Sequence, residues 1–347
     1  MKNDAAQKRL LNMRLKRWTI LFTGWAFCLM AQAASADEIT GAGSSFAAPI
    51  YGAWGEAVKA SHHIFVNYQS VGSGAGVNQI LARTVDFGAT DKPLEPASLA
   101  AGHLYQFPSV MGAIVIIAHL PGVDVSRLRL DGPTLAGIFD GSILDWDDPR
   151  IKRLNPGVNL PETSVAPLHR ADASGTSFVF TAYLSKVSPA WKRGIGAGAS
   201  VAWPGGAGAR GNDGVAAGVR QTDGGIGYVE YAYAKQNHLP VVALANRTGA
   251  FIKPDMASFE AAARAAPWQR AKGNVVDLLD TGGANGWPIM SATYVLVPRD
   301  HVKEAVRRFF AAGLMEGDAE ARGLDYVPLP QSVKSRILAE WPDPARR

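Results

Sequence analysis

The chain has 347 residues, 35 Lys+Arg against 30 Asp+Glu, a formal net charge of +5 and one cysteine. Six of the basic residues and one acidic residue precede Asp37, so beyond that point the two signs balance. Nothing in that balance marks a binder of nucleic acid or of membrane surfaces.

The first segment reads as an export leader rather than as part of a fold. Lys8, Arg9, Arg14, Lys16 and Arg17 form a basic region, and an apolar run from Trp18 to Met30 follows. That run is too short for a stable membrane span. Small-residue patterns at Ala31-Gln32-Ala33 and Ala34-Ser35-Ala36 come next, and cleavage after Ala36 is expected, giving a signal peptide over 1–36 and a periplasmic product. A retained anchor is the alternative. Cys28 lies inside the apolar run behind the bulky Phe27, which argues against a lipoprotein site. The exported chain then has no cysteine, which excludes disulfides, thiolate metal sites and a cysteine nucleophile. It is also longer than one hydrophobic core usually supports, so two lobes are expected.

In chain order, the same arrangement recurs: a short apolar run, a Gly/Ser/Thr loop, then an amphipathic helix. Gly41-Ala42-Gly43-Ser44-Ser45-Phe46 leads into Ile50, Ala53, Trp54, Ala57 and Val58, the spacing of one helix face. The strand-like Ile64 to Tyr68 enters Gly72-Ser73-Gly74-Ala75-Gly76 and a helix with Val77, Ile80 and Leu81 on one side. Val85 to Thr90 reads as a buried strand ending at Asp91. Val165 to His169 reads as a strand entering Arg170-Ala171-Asp172-Ala173-Ser174-Gly175-Thr176, with a helix from about Ser177 to Lys186 carrying Val179, Ala182 and Tyr183. Thr293 to Val297 reads as a strand. Val302, Ala305, Val306, Phe309 and Phe310 mark a helix capped near Asp300. Strand–loop–helix units in series predict α/β architecture.

A helix N-terminus offers unpaired N–H groups and the positive end of the macrodipole, and glycine lets backbone approach a ligand closely. Three such loops together point to a tetrahedral oxyanion. Ser45, Ser73, Ser174 and Thr176 stand at or just before helix starts, where a hydroxyl serves as a cap, a ligand donor or both. Arg170 ends an apolar strand, where a guanidinium can grip two anion oxygens, with Asp172 to hold it; an exposed ion pair is the alternative. Asp91, alone a turn residue, fits an anion site if the ligand carries a proton for the carboxylate to accept.

These loops resemble those of the periplasmic phosphate-binding proteins of ABC-type phosphate importers, over essentially the whole chain beyond the leader. The most specific pieces are Thr40 to Phe46, Thr84 to Ala89, Arg170-Ala171-Asp172 with Ser174 to Phe178, Gly211-Asn212-Asp213-Gly214, Gly227 to Ala234, Trp287-Pro288-Ile289 and Leu324-Asp325-Tyr326. The resemblance implies an α/β, two-lobed periplasmic-binding-protein fold of type II with two crossing hinge strands. Residues 37–110 and 287–347 would form lobe 1 and 111–286 lobe 2, crossing near Val110-Met111 and Gly286-Trp287. It also implies phosphate bound by Ser45, Phe46 through its N–H, Ser73, Asp91, Arg170, Ser174, Gly175 and Thr176, with Asp172 in support. The expected partners are inorganic phosphate and the inner-membrane permease subunits of an ABC importer. The expected state is a monomer with no cofactor, metal or nucleic acid. Three positions depart from the family pattern. Ser45 stands where Thr is frequent, Ala47 where Pro is common, and Ala173 where Gly is common, which leaves the loop's shape open because alanine resists positive φ.

An enzyme is the competing class. Neither Gly41-x-Gly43 nor Gly72-x-Gly74 completes a dinucleotide motif, no P-loop lysine pattern is present, and no G-x-S-x-G elbow surrounds Ser174. The seven histidines show no metal-ligand spacing. A nearer alternative is a binding protein for another oxyanion, sulfate or a phosphonate.

Overall fold

The computed structural model describes residues 37–270 and 272–342. The expected leader, with Cys28 and its cleavage site, lies outside them. The strands are β1 (Asp37–Gly43), β2 (Ile64–Ser70), β3 (Phe87–Thr90), β4 (Leu104–His119), β5 (Arg129–Leu130), β6 (Ala166–Arg170), β7 (Ala207–Ala209), β8 (Gly225–Glu230), β9 (Ala243–Ala245), β10 (Phe251–Ile252) and β11 (Met290–Pro298). The helices that bear on the site are α1 (Ala48–His62), α2 (Ser73–Leu81), α3 (Gly175–Val187), α4 (Gly211–Gln221) and α5 (Glu304–Met315). The α/β expectation holds.

Eight strands run in the order β2-β1-β3-β11-β4-β8-β6-β7, and β10-β9-β5 form a small second sheet. The long strand β4 joins the two parts of the large sheet. Leu104 to Ala113 pair with β11, and Ile114 to His119 pair with β8. Its near-continuous apolar sequence suits a strand covered on both faces, and every residue but His119 is buried. On the β11 side, β1 and β3 are parallel; on the β8 side, β6 lies parallel to β8 and β7. Parallel strands put their outgoing loops at one sheet edge, which is how distant loops come to share a site.

A bulge interrupts the β4–β11 ladder, where Thr293 pairs with Val110 but Tyr294 pairs with Pro108. Ser109 is the extra residue. Pro108 offers no N–H to a ladder, and in a central strand it is tolerated at such an irregularity. The Ser109 hydroxyl contacts the Tyr51 hydroxyl at 2.7 Å and lies 3.1 Å from the Thr293 carbonyl, which fixes the bulge against α1.

Local expectations are met except in detail. α2 buries Ser73, Gly76 and Ile80, whereas Leu81, expected beside Ile80, is its last residue and is 44 % exposed. Strand β3 starts at Phe87 rather than Val85; Asp86 before it donates its N–H to the Thr40 carbonyl at 2.8 Å and accepts the Thr40 N–H on its side chain at 2.9 Å. The last long helix begins at Glu304 behind Lys303, not at Asp300. The chain bends through Arg299 and Asp300 first, with the Arg299 N–H tied to the His103 carbonyl at 2.8 Å.

Candidate functional site

β1 delivers Ser44, Ser45 and Phe46 to the start of α1, β3 delivers Asp91, and β6 delivers Arg170 to Ser174 ahead of α3. Ser73 opens α2, behind Gly72 at φ 92°, a conformation that favours glycine. A Cβ on Gly72 would stand 2.3 Å from Asp172 Oδ2, so the turn also needs the missing side chain for space. The loops meet directly. The Gly74 N–H donates to the Ala173 carbonyl at 2.9 Å, and a Cβ on Gly175 would stand 2.4 Å from Ser73 Oγ and 2.5 Å from Asp91 Oδ2. Ser45, Phe46, Ser73, Asp91, Arg170, Ser174, Gly175 and Thr176 are thus brought together, and all are buried. Ala173 is not among the positive-φ residues, so alanine there imposes no backbone strain.

Asp91 sits in a ring of hydroxyls. Ser44 Oγ donates to both of its carboxylate oxygens at 2.7 Å, and Thr293 Oγ1 donates to Oδ1 at 2.7 Å. The antiparallel register of β11 on β3, with Tyr294 opposite Thr90, brings Thr293 beside this carboxylate. Burial pushes the Asp91 carboxyl up to about 6, against the bonds from Thr293 and Ser44, the charge of Arg170 and the bond from Ser73. Above that pH it is an ionised acceptor in a buried site.

Arg170 is held by Asp172, with Nε at 2.8 Å and Nη2 at 2.5 Å, and its side chain is 1 % exposed. The exposed-pair reading is therefore excluded by burial. Burial alone would raise the Asp172 carboxyl, but the Arg170 bonds and charge outweigh it and hold it below its ordinary value. Nη1 contacts Thr176 Oγ1 at 3.3 Å. These bonds leave a guanidinium's remaining N–H groups for a ligand. Asp172 offsets the positive charge, so an anion here is met mostly by dipoles.

The hydroxyls supply those dipoles. Ser174 caps α3 by accepting the Ser177 N–H at 3.1 Å. Ser45 Oγ accepts from Asn212 at 3.0 Å, and Thr176 Oγ1 accepts from Arg170 and Asn212. In each of these bonds the hydroxyl is the acceptor and its own hydrogen stays available to a ligand oxygen. The N–H groups of Gly175 and Thr176, in the first turn of α3, have no intrahelical acceptor. The Phe46 N–H already rests on Ser44 Oγ at 3.0 Å, so an anion would share it.

The backbone of the first loop is gripped from outside by three tyrosines. Tyr68, Tyr233 and Tyr326 donate to the carbonyls of Ser44, Ser45 and Phe46 at 2.7, 2.6 and 2.6 Å. Three successive carbonyls are thereby held in place. Sequence reasoning assigned no role to Ser44, Asn212, Thr293 or these tyrosines. Ser44, Asn212, Tyr233 and Tyr326 lay inside segments carrying the resemblance, which was the available signal. Thr293 had none, because its place beside Asp91 depends on how β11 pairs with β3.

The PBP superfamily domain matches residues 30–315. "Phosphate-binding protein PstS" of Pasteurella multocida is 45 % identical over 326 residues, 93 % of each chain. The protein of the same name from Haemophilus influenzae is 45 % identical over 312 residues, 89 % of this chain and 93 % of that one. The chain belongs to this family. Its fold is the α/β, two-lobed periplasmic-binding fold, and the family is one of substrate-binding rather than catalytic proteins. A crystal structure of a phosphate-binding protein from Stenotrophomonas maltophilia shares the fold, with a TM-score of 0.65 at 20 % identity, covering 88 % of this chain and 94 % of that one. Among the described residues no helix is long and apolar enough to cross a membrane, and no cluster of His, Cys, Asp and Glu is arranged to hold a metal.

Proposed function

We propose that this protein binds inorganic phosphate between the Ser45 and Ser174 loops and delivers it to the permease subunits of an ABC importer. The observation that carries this reading is the mixed polarity of one buried site. Ser45, Ser174 and Thr176 keep hydroxyl hydrogens to donate, while Asp91 can only accept once ionised. A protonated tetrahedral oxyanion matches both. Phosphate near neutral pH carries at least one proton, whereas sulfate has none and would set a bare lone pair against Asp91. The ligand set comprises Ser45, Phe46, Ser73, Asp91, Arg170, Ser174, Gly175 and Thr176, with Asp172 orienting Arg170.

The two lobes take residues 37–110 with 287–347, and 111–286. The change of β4 partner after Ala113 and the start of β11 at Met290 support crossings within a few residues of those bounds. Residues 1–36 direct export, and the protein works as a periplasmic monomer. Calorimetric titration with phosphate, sulfate, arsenate and a phosphonate tests the reading. Tight phosphate binding with weak sulfate binding is expected; equal affinity for the two would overturn it.

A further inference from the structure

Asn212 belongs to none of the ligand contacts proposed above, yet it is fully buried between two of them. It lies in the first turn of α4, and its amide orientation is fixed by chemistry. The Glu230 backbone N–H stands 3.2 Å from Oδ1, and an N–H demands an acceptor. The Nδ2 amino group must therefore face the other way, 3.0 Å from Ser45 Oγ and 3.5 Å from Thr176 Oγ1.

An amino group can only donate. Ser45 and Thr176, facing donors, have to accept, and each has one hydrogen, which is then directed elsewhere. Arg170 Nη1, 3.3 Å from Thr176 Oγ1, imposes the same polarity on that hydroxyl. Without such neighbours, a serine or threonine hydroxyl is free to rotate and serves an anion only after being reoriented. We propose that Asn212 is a positioning residue for ligand binding: it fixes the hydroxyls of Ser45 and Thr176 as outward donors and so presets the site for an anion. This rests on the phosphate-binding reading and adds to it a residue that acts through two others. It also joins the loop after β1 to the loop after β6, so these donors are set only when both loops have come together.

The test compares Asn212→Asp with Asn212→Ala. Asp keeps the shape and can still accept from Glu230 N–H, but it turns the face toward Ser45 and Thr176 into an acceptor, drawing both hydrogens away from the ligand. A residue that merely packs would tolerate the near-isosteric Asp better than Ala. The expected order is the reverse: by calorimetry with inorganic phosphate, Ala weakens binding about tenfold and Asp at least about tenfold more, on the scale of one buried hydrogen bond per step. The new charge on Asp could also repel the anion directly, so both changes are repeated with Ser45→Ala and Thr176→Val. There the gap between Asp and Ala is expected to close; a gap that persists would overturn the inference, as would Asp binding as well as Ala in the wild-type background. The phosphate-to-sulfate ratio is expected to stay within about threefold of wild type, since both ions use these donors alike; a larger change would also overturn it. If the Asp variant does not fold by thermal melt, the Ala arm suffices. Its cost must vanish in the Ser45→Ala, Thr176→Val background, and an undiminished cost refutes the coupling. Wild-type protein that fails to bind phosphate would instead remove the functional reading on which the inference rests.

Discussion

Ser44 Oγ lies 2.7 Å from both carboxylate oxygens of Asp91, so one hydroxyl hydrogen is shared across the carboxylate. Thr293 adds a second donor on Oδ1 alone. The two oxygens are thus unequal, and Oδ2 keeps more accepting capacity for a ligand proton.

Selectivity over sulfate is expected to come mainly from this carboxylate. Asp91→Asn keeps the shape but offers an N–H₂ group that sulfate can use. Sites that reject a ligand through an unmatched buried polar group reach about 10⁴–10⁵-fold discrimination. Competition titrations should find the phosphate-to-sulfate ratio collapsing in Asp91→Asn far more than in Ser73→Ala. In wild type the ratio should also fall as pH drops below about 6, where Asp91 becomes protonated and able to donate to sulfate. A ratio indifferent to both changes would return Asp91 to the role of a turn residue.

Stability should carry the opposite signature. Folding raises the Asp91 carboxyl from its ordinary 3.8 to about 6, chiefly through burial. A raised folded value favours the folded state below the unfolded value, and that favour is lost as pH rises toward the folded value. The cost of ionising the carboxylate builds up between those two values and reaches about 3 kcal/mol above the folded one, at 1.36 kcal/mol per pH unit. Asn does not titrate. The melting temperature of Asp91→Asn relative to wild type, in phosphate-free buffer, should therefore climb from pH 4.5 to pH 7. A flat difference would mean that water reaches the carboxylate.

Arg170→Ala removes the buried cation and strands Asp172. A loss of about 2–5 kcal/mol in phosphate binding is expected, typical of truncating one member of a buried charge pair. The neutral donors of Ser45, Ser174 and Thr176 set the lower end. Calorimetry decides, and an unchanged affinity would remove Arg170 from the ligand set.

Closure is testable at Gly74. A Cβ there would stand 2.5 Å from the Cβ of Ala173, on the partner loop. With the lobes parted that clash is absent and alanine is at least as good as glycine in a helix, so closure on ligand predicts that Gly74→Ala leaves the ligand-free melting temperature unchanged or raised by the equivalent of about 0.5–1 kcal/mol. Phosphate affinity should fall at least about tenfold, on the scale of the contact it displaces. In wild type, small-angle scattering should record a smaller radius of gyration with saturating phosphate, and in Gly74→Ala a smaller change. Identical wild-type curves with and without phosphate would contradict hinge closure.

The α/β class, the three glycine- and hydroxyl-rich loops, and the pairing of Arg170 with Asp172 were legible along the chain. All of these are local, because periodicity, caps and a separation of two residues are written along the chain. The sequence also marked Asp91, but not the Ser44 and Thr293 hydroxyls that surround it. Thr293 lies 202 positions away and comes beside Asp91 through the register of β11 on β3, which no local pattern records. Asn212 reaches Ser45 across 167 positions, and Tyr326 reaches Phe46 across 280. These partners are set by the packing of distant elements. A side chain's reach is a few ångströms, and whether two such groups meet depends on how the strands between them pair.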